Sequence, residues 1–191
     1  MNKIETVIIT VLLVVVSGVC LNIMLMFSVP ALNNYPTIIY YIIFYFTFIF
    51  SFILLPTLLA KYLYKNKFHF IHFQIFNYKR LILLFITILP FSLFLIGKAA
   101  TAEYFIVAFG EEFLFRYIIL LILLNVFNKP SSFIIGSILF SLILHINGDF
   151  IINICTKFPS SLILYWLVDK YKLQDAIACH WLYNILIYKF S

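Results

Sequence analysis

Apolar runs of about 20 residues recur along this chain, each long enough to cross a hydrocarbon core roughly 30 Å thick. Inside lipid every backbone N–H and C=O must be satisfied within the protein, so a spanning segment is either an α-helix or a strand of a closed barrel. Barrel strands would alternate apolar and polar residues with period two, and these runs do not. Of the 191 residues, 65% are hydrophobic and 10% charged, with a mean hydropathy of +1.11. An ordinary soluble domain is roughly half apolar and about a quarter charged. The expected fold is therefore all-α: a polytopic transmembrane helical bundle of about 6–7 transmembrane helices. Residues 1–191 are read as a single transmembrane domain.

Breakers and charges divide the chain into apolar segments near residues 6–28, 37–60, 81–97, 102–127, 132–147, 151–168 and 173–190. The first is too long for the core of a cleaved signal peptide, which predicts a retained helix. Asn153, Lys157 and Pro159 interrupt the sixth, which makes it a candidate for a partly re-entrant segment sheltered by protein or by a wet cavity. Cys20, Cys155 and Cys179 all lie in apolar segments and form neither a disulfide framework nor a CxxC metal pair.

The formal charge of +6 would suit a nucleic-acid partner, but its placement points to the lipid bilayer instead. The stretch from Lys61 to Arg80 carries five basic residues and no acidic one, as a cytoplasmic loop should under the positive-inside rule. Its aromatics, with His69 and His72, fit a segment lying at the headgroups. A multi-pass protein of the cell membrane is expected, with no nucleic-acid partner. The parity of crossings puts the N-terminus, "NKPSS" and "DKYKLQD" on the cytoplasmic side with that loop.

Against this background "AFGEEFLFRYIIL" is anomalous. An Asp or Arg at the centre of a membrane helix costs about 2.5–3.5 kcal/mol, and such groups persist where they are paired, face a wet cavity or do chemistry. Glu112 and Arg116 stand at i,i+4, about 40° apart around the axis, and can neutralise each other. Glu111 is turned about 100° from Glu112 and is left over. The other polar groups in apolar segments are His145, near the end of "SILFSLILHINGD", and the i,i+4 pair His180 and Asn184 in "ACHWLYNILI". At ~1.5 Å per residue, Glu111 lies roughly 13 Å from the outer end of its helix. His180 and His145 lie about 10 and 20 Å from the inner ends of theirs. A lone membrane histidine or asparagine ordinarily bonds a neighbouring helix, but a spare glutamate, two histidines and an asparagine on three helices form a chemical set. A buried carboxylate can act as general base when its pKa is raised toward neutrality. Histidine can hold the attacking water, and His and Asn donors can stabilise a tetrahedral oxyanion. Those are the parts of a peptide hydrolase.

Other protease chemistries lack their motifs. There is no HExxH and no GxSxG, Asp149 has no matching second Asp motif, and Cys179 and His180 are helix neighbours that point apart. A zinc site built from Glu111, His145 and His180 stays open, since Zn²⁺ accepts N and O ligands.

"EEFLFR" resembles the EExxxR motif of the CAAX-protease and bacteriocin-processing (CPBP, or Abi) family of intramembrane proteases. "HWLYN" resembles its final HxxxN motif, and His145 stands in the place of its central histidine. The resemblance covers roughly residues 100–190, the motif-bearing core. It implies that Glu111 activates water, that His145 helps position it, and that His180 and Asn184 stabilise the oxyanion. Glu112 and Arg116 would support the site. The family usually has Phe four residues before the central histidine, whereas here that position is Ser141 and Phe140 comes one residue earlier. The implied activity is an intramembrane endopeptidase acting on membrane-associated or leader peptides and requiring no cofactor. Two rival readings are a non-catalytic bacteriocin-immunity or scaffolding protein of the same family, and a small transporter or proton relay. The last lacks matched broken helices or repeat halves.

Overall fold

The computed structural model describes residues 2–32, 37–64, 75–146 and 149–190. The expectations for His69, His72 and most of the basic loop lie outside them. Every regular element among the described residues is helical. Helix α1 is Lys3–Leu32, α2 is Thr37–Ile49 and α3 is Leu55–Tyr64, while α4 is Tyr78–Glu112, α5 Leu120–Leu124 and α6 Lys129–Ile138. Then come α7 at Phe150–Ile152, α8 at Phe158–Tyr171 and α9 at Leu173–Phe190. Four π-helical turns are set into these runs, at Phe50–Leu54, Phe113–Ile119, Leu139–Leu144 and Asn153–Lys157.

The polarity of the bundle is that of a membrane protein. Large apolar side chains face outward, among them Phe27, Phe94 and Ile151, while small hydroxyls are buried between the helices. On α1 the buried stripe is Thr6, Thr10, Leu13, Val14 and Ser17, a spacing of three and four that keeps one helical face turned inward. Small residues there let helix backbones approach closely. Thr10 answers its own hydroxyl by donating to the Thr6 carbonyl at 3.1 Å. Where the sequence carries breakers, caps form. Asn77 accepts from Arg80 N–H at the start of α4, Asn128 from Ser131 N–H at α6, and Asp149 from Ile152 N–H at α7.

Four runs are long and apolar enough to cross a membrane: Lys3–Phe27, Ile38–Tyr64, Tyr78–Leu124 and Phe150–Tyr171. The 6–7 expected crossings are not reached by this measure. Lys129–Leu144 is shorter than a span, and α9 carries Gln174, Asp175, His180 and Asn184 among its apolar residues. The expected segments at 81–97 and 102–127 both fall in the Tyr78–Leu124 run, which a kink at Gly97 divides between them. The expected re-entrant segment is instead an unbroken helical run. Its Pro159 lies inside that run, directly after the Asn153–Lys157 π turn, where it can donate no helical N–H.

The Tyr78–Leu124 run is not straight. Gly97 has φ 76° and ψ 174°, a region that is essentially open to glycine alone. The chain folds back there. Ser92 and Thr101, nine residues apart, bring their hydroxyls to 2.9 Å, and the Phe85 and Phe105 rings meet at 5.8 Å. A straight helix would hold that last pair about 30 Å apart. The two arms of this hairpin clasp α9 through a cluster of Ile88, Ala108, Ala178, Trp181 and Ile185.

One end of the bundle gathers charge. Arg80 forks onto Asp175, with its Nη2 2.6 Å from Oδ1, and so ties the start of α4 to the start of α9. Lys129 meets Asp169 at 2.7 Å, and Lys3 sits over the Phe127 ring. The N-terminus, "NKPSS" and "DKYKLQD" therefore share one end of the bundle.

No side chain would be hindered at Gly97, because nothing lies within 4 Å of a Cβ built there. Gly97→Ala thus isolates the backbone cost. It should lower stability by about 1–3 kcal/mol, read as an earlier thermal unfolding transition in detergent. An unchanged transition would mean that the fold-back does not depend on this conformation.

Candidate active site

The hairpin returns the chain inward so that Glu111 and Glu112 close α4 deep in the bundle, immediately before the π turn Phe113–Ile119. Glu112 is wholly buried and Arg116 is 2% exposed. Their charges meet at 3.2 Å, Arg116 Nε to Glu112 Oε2. This is an ion pair without hydrogen-bond alignment, since neither of those two atoms has a hydrogen-bond partner among the described residues. The guanidinium is held from the sides instead. Nη2 donates to Ser161 Oγ at 2.8 Å, and the Phe140 and Tyr165 rings lie 4.4 and 4.9 Å from its carbon. Tyr165 in turn donates its hydroxyl to the Phe115 carbonyl at 3.0 Å, inside the π turn. It fits there because Gly136 has no side chain; a Cβ at that position would collide with the Tyr165 hydroxyl.

The second oxygen of Glu112 faces α9. His180 Nδ1 lies 2.7 Å from Glu112 Oε1, which aims Nε2 at Glu111, 3.8 Å from Oε2. A carboxylate on one ring nitrogen fixes the tautomer and orientation of the other. Spacing along the sequence pairs Glu112 with Arg116 alone; the contact with His180 joins residues 68 apart, which leaves no spacing signal.

His145 caps the π turn Leu139–Leu144, with φ −104° and ψ 33°. Its carbonyl accepts from Asn153 Nδ2 at 2.8 Å, which pins it to the Asn153–Lys157 turn. The displaced phenylalanine is resolved by the same π turn. A π-helix repeats at i,i+5 rather than i,i+4, so Phe140, five residues ahead, comes onto the face of His145. Their rings meet edge to face at 5.1 Å. The Phe140 ring also stands edge to face with His180 at 6.1 Å.

Glu111, His145, His180 and Asn184 all line one cavity of about 430 Å³. Its remaining lining is apolar or aromatic, apart from Ser160, Cys179 and Lys157. Three groups that matter here were not singled out from the sequence as site residues. Ser161 and Tyr165 sit at i,i+4 on α8, a polar pair on one face of an apolar helix that could have marked them. Lys157 was read as an interruption of its segment. Among the described residues no three His, Cys, Asp or Glu side chains form a group that could hold a metal ion.

Residues 96–186 match the family model described as type II CAAX prenyl endopeptidase Rce1-like. Over these residues, just under half of its length, the chain is similar to the CAAX-protease family. The match spans the hairpin's second arm, the π turns around the cavity and most of α9, and with the apolar helices it points to a membrane protein. No curated protein and no solved structure matches the chain.

Removing one partner of a buried ion pair costs about 3–5 kcal/mol, because the other charge is left behind. Arg116→Ala should destabilise the detergent-solubilised protein on that scale. Glu112→Gln combined with Arg116→Met should recover much of the loss, since both charges then go. Thermal unfolding of the two variants checks this; equal destabilisation by both would show that the pair's charge is not what holds the site.

Proposed function

We propose that this protein is an intramembrane endopeptidase that hydrolyses peptide bonds of membrane-associated or leader peptides with a water activated by Glu111. The observation that supports this reading is the meeting of Glu111, His145, His180 and Asn184 on one cavity, with Glu112 engaged elsewhere by Arg116 and His180. Glu111 takes a proton from water as the resulting hydroxide attacks the scissile carbonyl carbon. His145, which lines the same cavity, helps hold that water. Negative charge then develops on the carbonyl oxygen, where His180 and Asn184 supply donors. In its protonated form His180 donates Nδ1–H to Glu112 and keeps Nε2–H for the oxyanion, while the Asn184 amide adds a second donor. Preorganised donors in a dry site are worth more than the same donors in water. Collapse of the intermediate breaks the C–N bond, and the proton held by Glu111 passes to the leaving amine. No metal enters these steps. By the positive-inside rule the charged end, with the N-terminus, faces the cytoplasm.

Glu111→Gln keeps the size and hydrogen-bonding capacity of the side chain but cannot accept the proton. Cleavage of a membrane-anchored reporter peptide in proteoliposomes should fall by about 10²–10⁴-fold while insertion and folding stay intact. Cleavage at the wild-type rate by a folded Glu111→Gln protein would sink the mechanism. Full activity after exhaustive treatment with chelator is expected alongside.

A further inference from the structure

A second cavity, of about 260 Å³, lies at the charged end of the bundle, and its described lining shares no residue with the one at Glu111. Its charged lining is Arg116, Lys129, Lys172 and Asp169. Glu112 faces Arg116 and Asp169 meets Lys129, so the formal charges there leave a balance of one positive. The Lys129 and Asp169 side chains are 55% and 41% exposed. Exposed pairs of this kind are worth little, and Lys129 stays available to another anion. Both lysines stand where the backbone argues against a lysine. Lys172 joins α8 to α9 with φ 79° and ψ −179°, a region essentially restricted to glycine. It is fixed there, since its N–H donates to the Val168 carbonyl at 2.9 Å and its carbonyl accepts from Asp175 N–H at 3.3 Å. Lys129 opens α6, at the end where the helix dipole repels a cation. Local structure therefore accounts for neither side chain. Below this rim the wall is apolar, made by Leu120, Leu121, Leu124 and Phe133. Leu124 is exposed and Leu121 and Phe133 are half-buried, so the wall runs on to the outer apolar surface. Arg116 lies deepest, roughly 12 Å along its run from Leu124, and its buried Nη1 has no hydrogen-bond partner among the described residues.

We propose that this cavity binds the headgroup phosphate of an anionic phospholipid, held by Lys129 and Lys172. The site is independent of any peptide cleavage. A phosphate diester brings one negative charge, which matches the balance of the lining. Its oxygens accept charge-assisted hydrogen bonds from the two ammonium groups, bonds about twice as strong as neutral ones. The glycerol esters and first methylenes lie on Leu121, Leu124 and Phe133, and the acyl chains continue into the surrounding lipid. A soluble phosphate would use the lysines but leave that apolar wall uncovered. A zwitterionic lipid brings a cation as well, and the carboxylate of this lining, Asp169, already has Lys129 at 2.7 Å. Basic pockets between membrane helices recognise anionic headgroups by this combination. The Tyr78–Leu124 run, α6, α8 and α9 all contribute to the lining, so a bound headgroup ties four parts of the bundle together at their charged ends.

Thermal unfolding of the whole protein in dodecylmaltoside tests this, because a ligand that binds the folded state raises the midpoint with its concentration. The titrants are dihexanoyl-phosphatidylglycerol, dihexanoyl-phosphatidylcholine and glycerol 3-phosphate. Phosphatidylglycerol should bind about tenfold tighter than phosphatidylcholine, the scale of one or two lysine contacts. Lys172→Gly should remove most of that preference, and Lys172→Arg should keep it. Without added lipid the Lys172→Gly protein should unfold no earlier than wild type, since glycine accepts this backbone conformation freely. A lost preference is then a lost ligand contact and not a lost fold. Lys129→Gln, at an exposed position, should weaken phosphatidylglycerol binding separately. Equal affinity of the wild type for the two lipids would overturn the proposal, and so would a preference unchanged in both Lys172→Gly and Lys129→Gln. Glycerol 3-phosphate binding as tightly as phosphatidylglycerol would assign the lysines to a soluble phosphate and overturn the lipid reading.

Discussion

The Glu112 carboxylate joins three helical runs at a depth where water is scarce. One oxygen lies against Arg116 on its own run, and the other against His180 on α9. Arg116 carries the connection to α8 through Ser161 and the Tyr165 ring. A charge buried this fully is tolerable only while its partners stay in place. The geometry of His180, and with it the distance from Nε2 to Glu111, therefore depends on a residue that never faces the cavity. Glu111 takes no part in that pairing beyond the 3.8 Å approach of His180 Nε2.

Around this network the helices repeatedly widen. Three of the four π turns, Phe113–Ile119, Leu139–Leu144 and Asn153–Lys157, carry or abut Arg116, His145 and Lys157. Single π turns inside α-helices occur often at functional sites, and here each has a visible effect. The Phe115 carbonyl in the first accepts from the Tyr165 hydroxyl as well as from Leu120 N–H, the second brings Phe140 against His145, and the third ends on Lys157, which lines the cavity.

Much of this was legible in the sequence. Caps formed at Asn128 and Asp149 where breakers had been read. The separation of Glu111 from the Glu112–Arg116 pair followed from helical angles alone, because both glutamates and the arginine lie on one run. The break at Gly97 falls between the segments expected at 81–97 and 102–127, whereas the count of crossings is blurred by the short Lys129–Leu144 run and by the polar residues that dilute the hydropathy of α9. Helical period also failed where the period itself changes: an i,i+4 rule leaves Phe140 out of register with His145, and only the wider turn restores it. Contacts between distant runs, such as Glu112 with His180 or Arg116 with Ser161, leave no spacing to read. Lys157 looked like a defect because its cavity is made by helices far from it in the chain.

The arrangement of the Glu112–Arg116 pair has a consequence for how the protein enters the membrane. Both charges sit on one helical run, four residues apart, so they are close as soon as that run has formed. Ser161, Tyr165 and His180 are synthesised later. A translocating chain that presented either charge alone would meet a barrier of about 2.5–3.5 kcal/mol for each. Here the run can be released into lipid as a nearly neutral unit and wait there for α8 and α9. The order of residues along the chain thus makes insertion of the buried charges independent of completing the site.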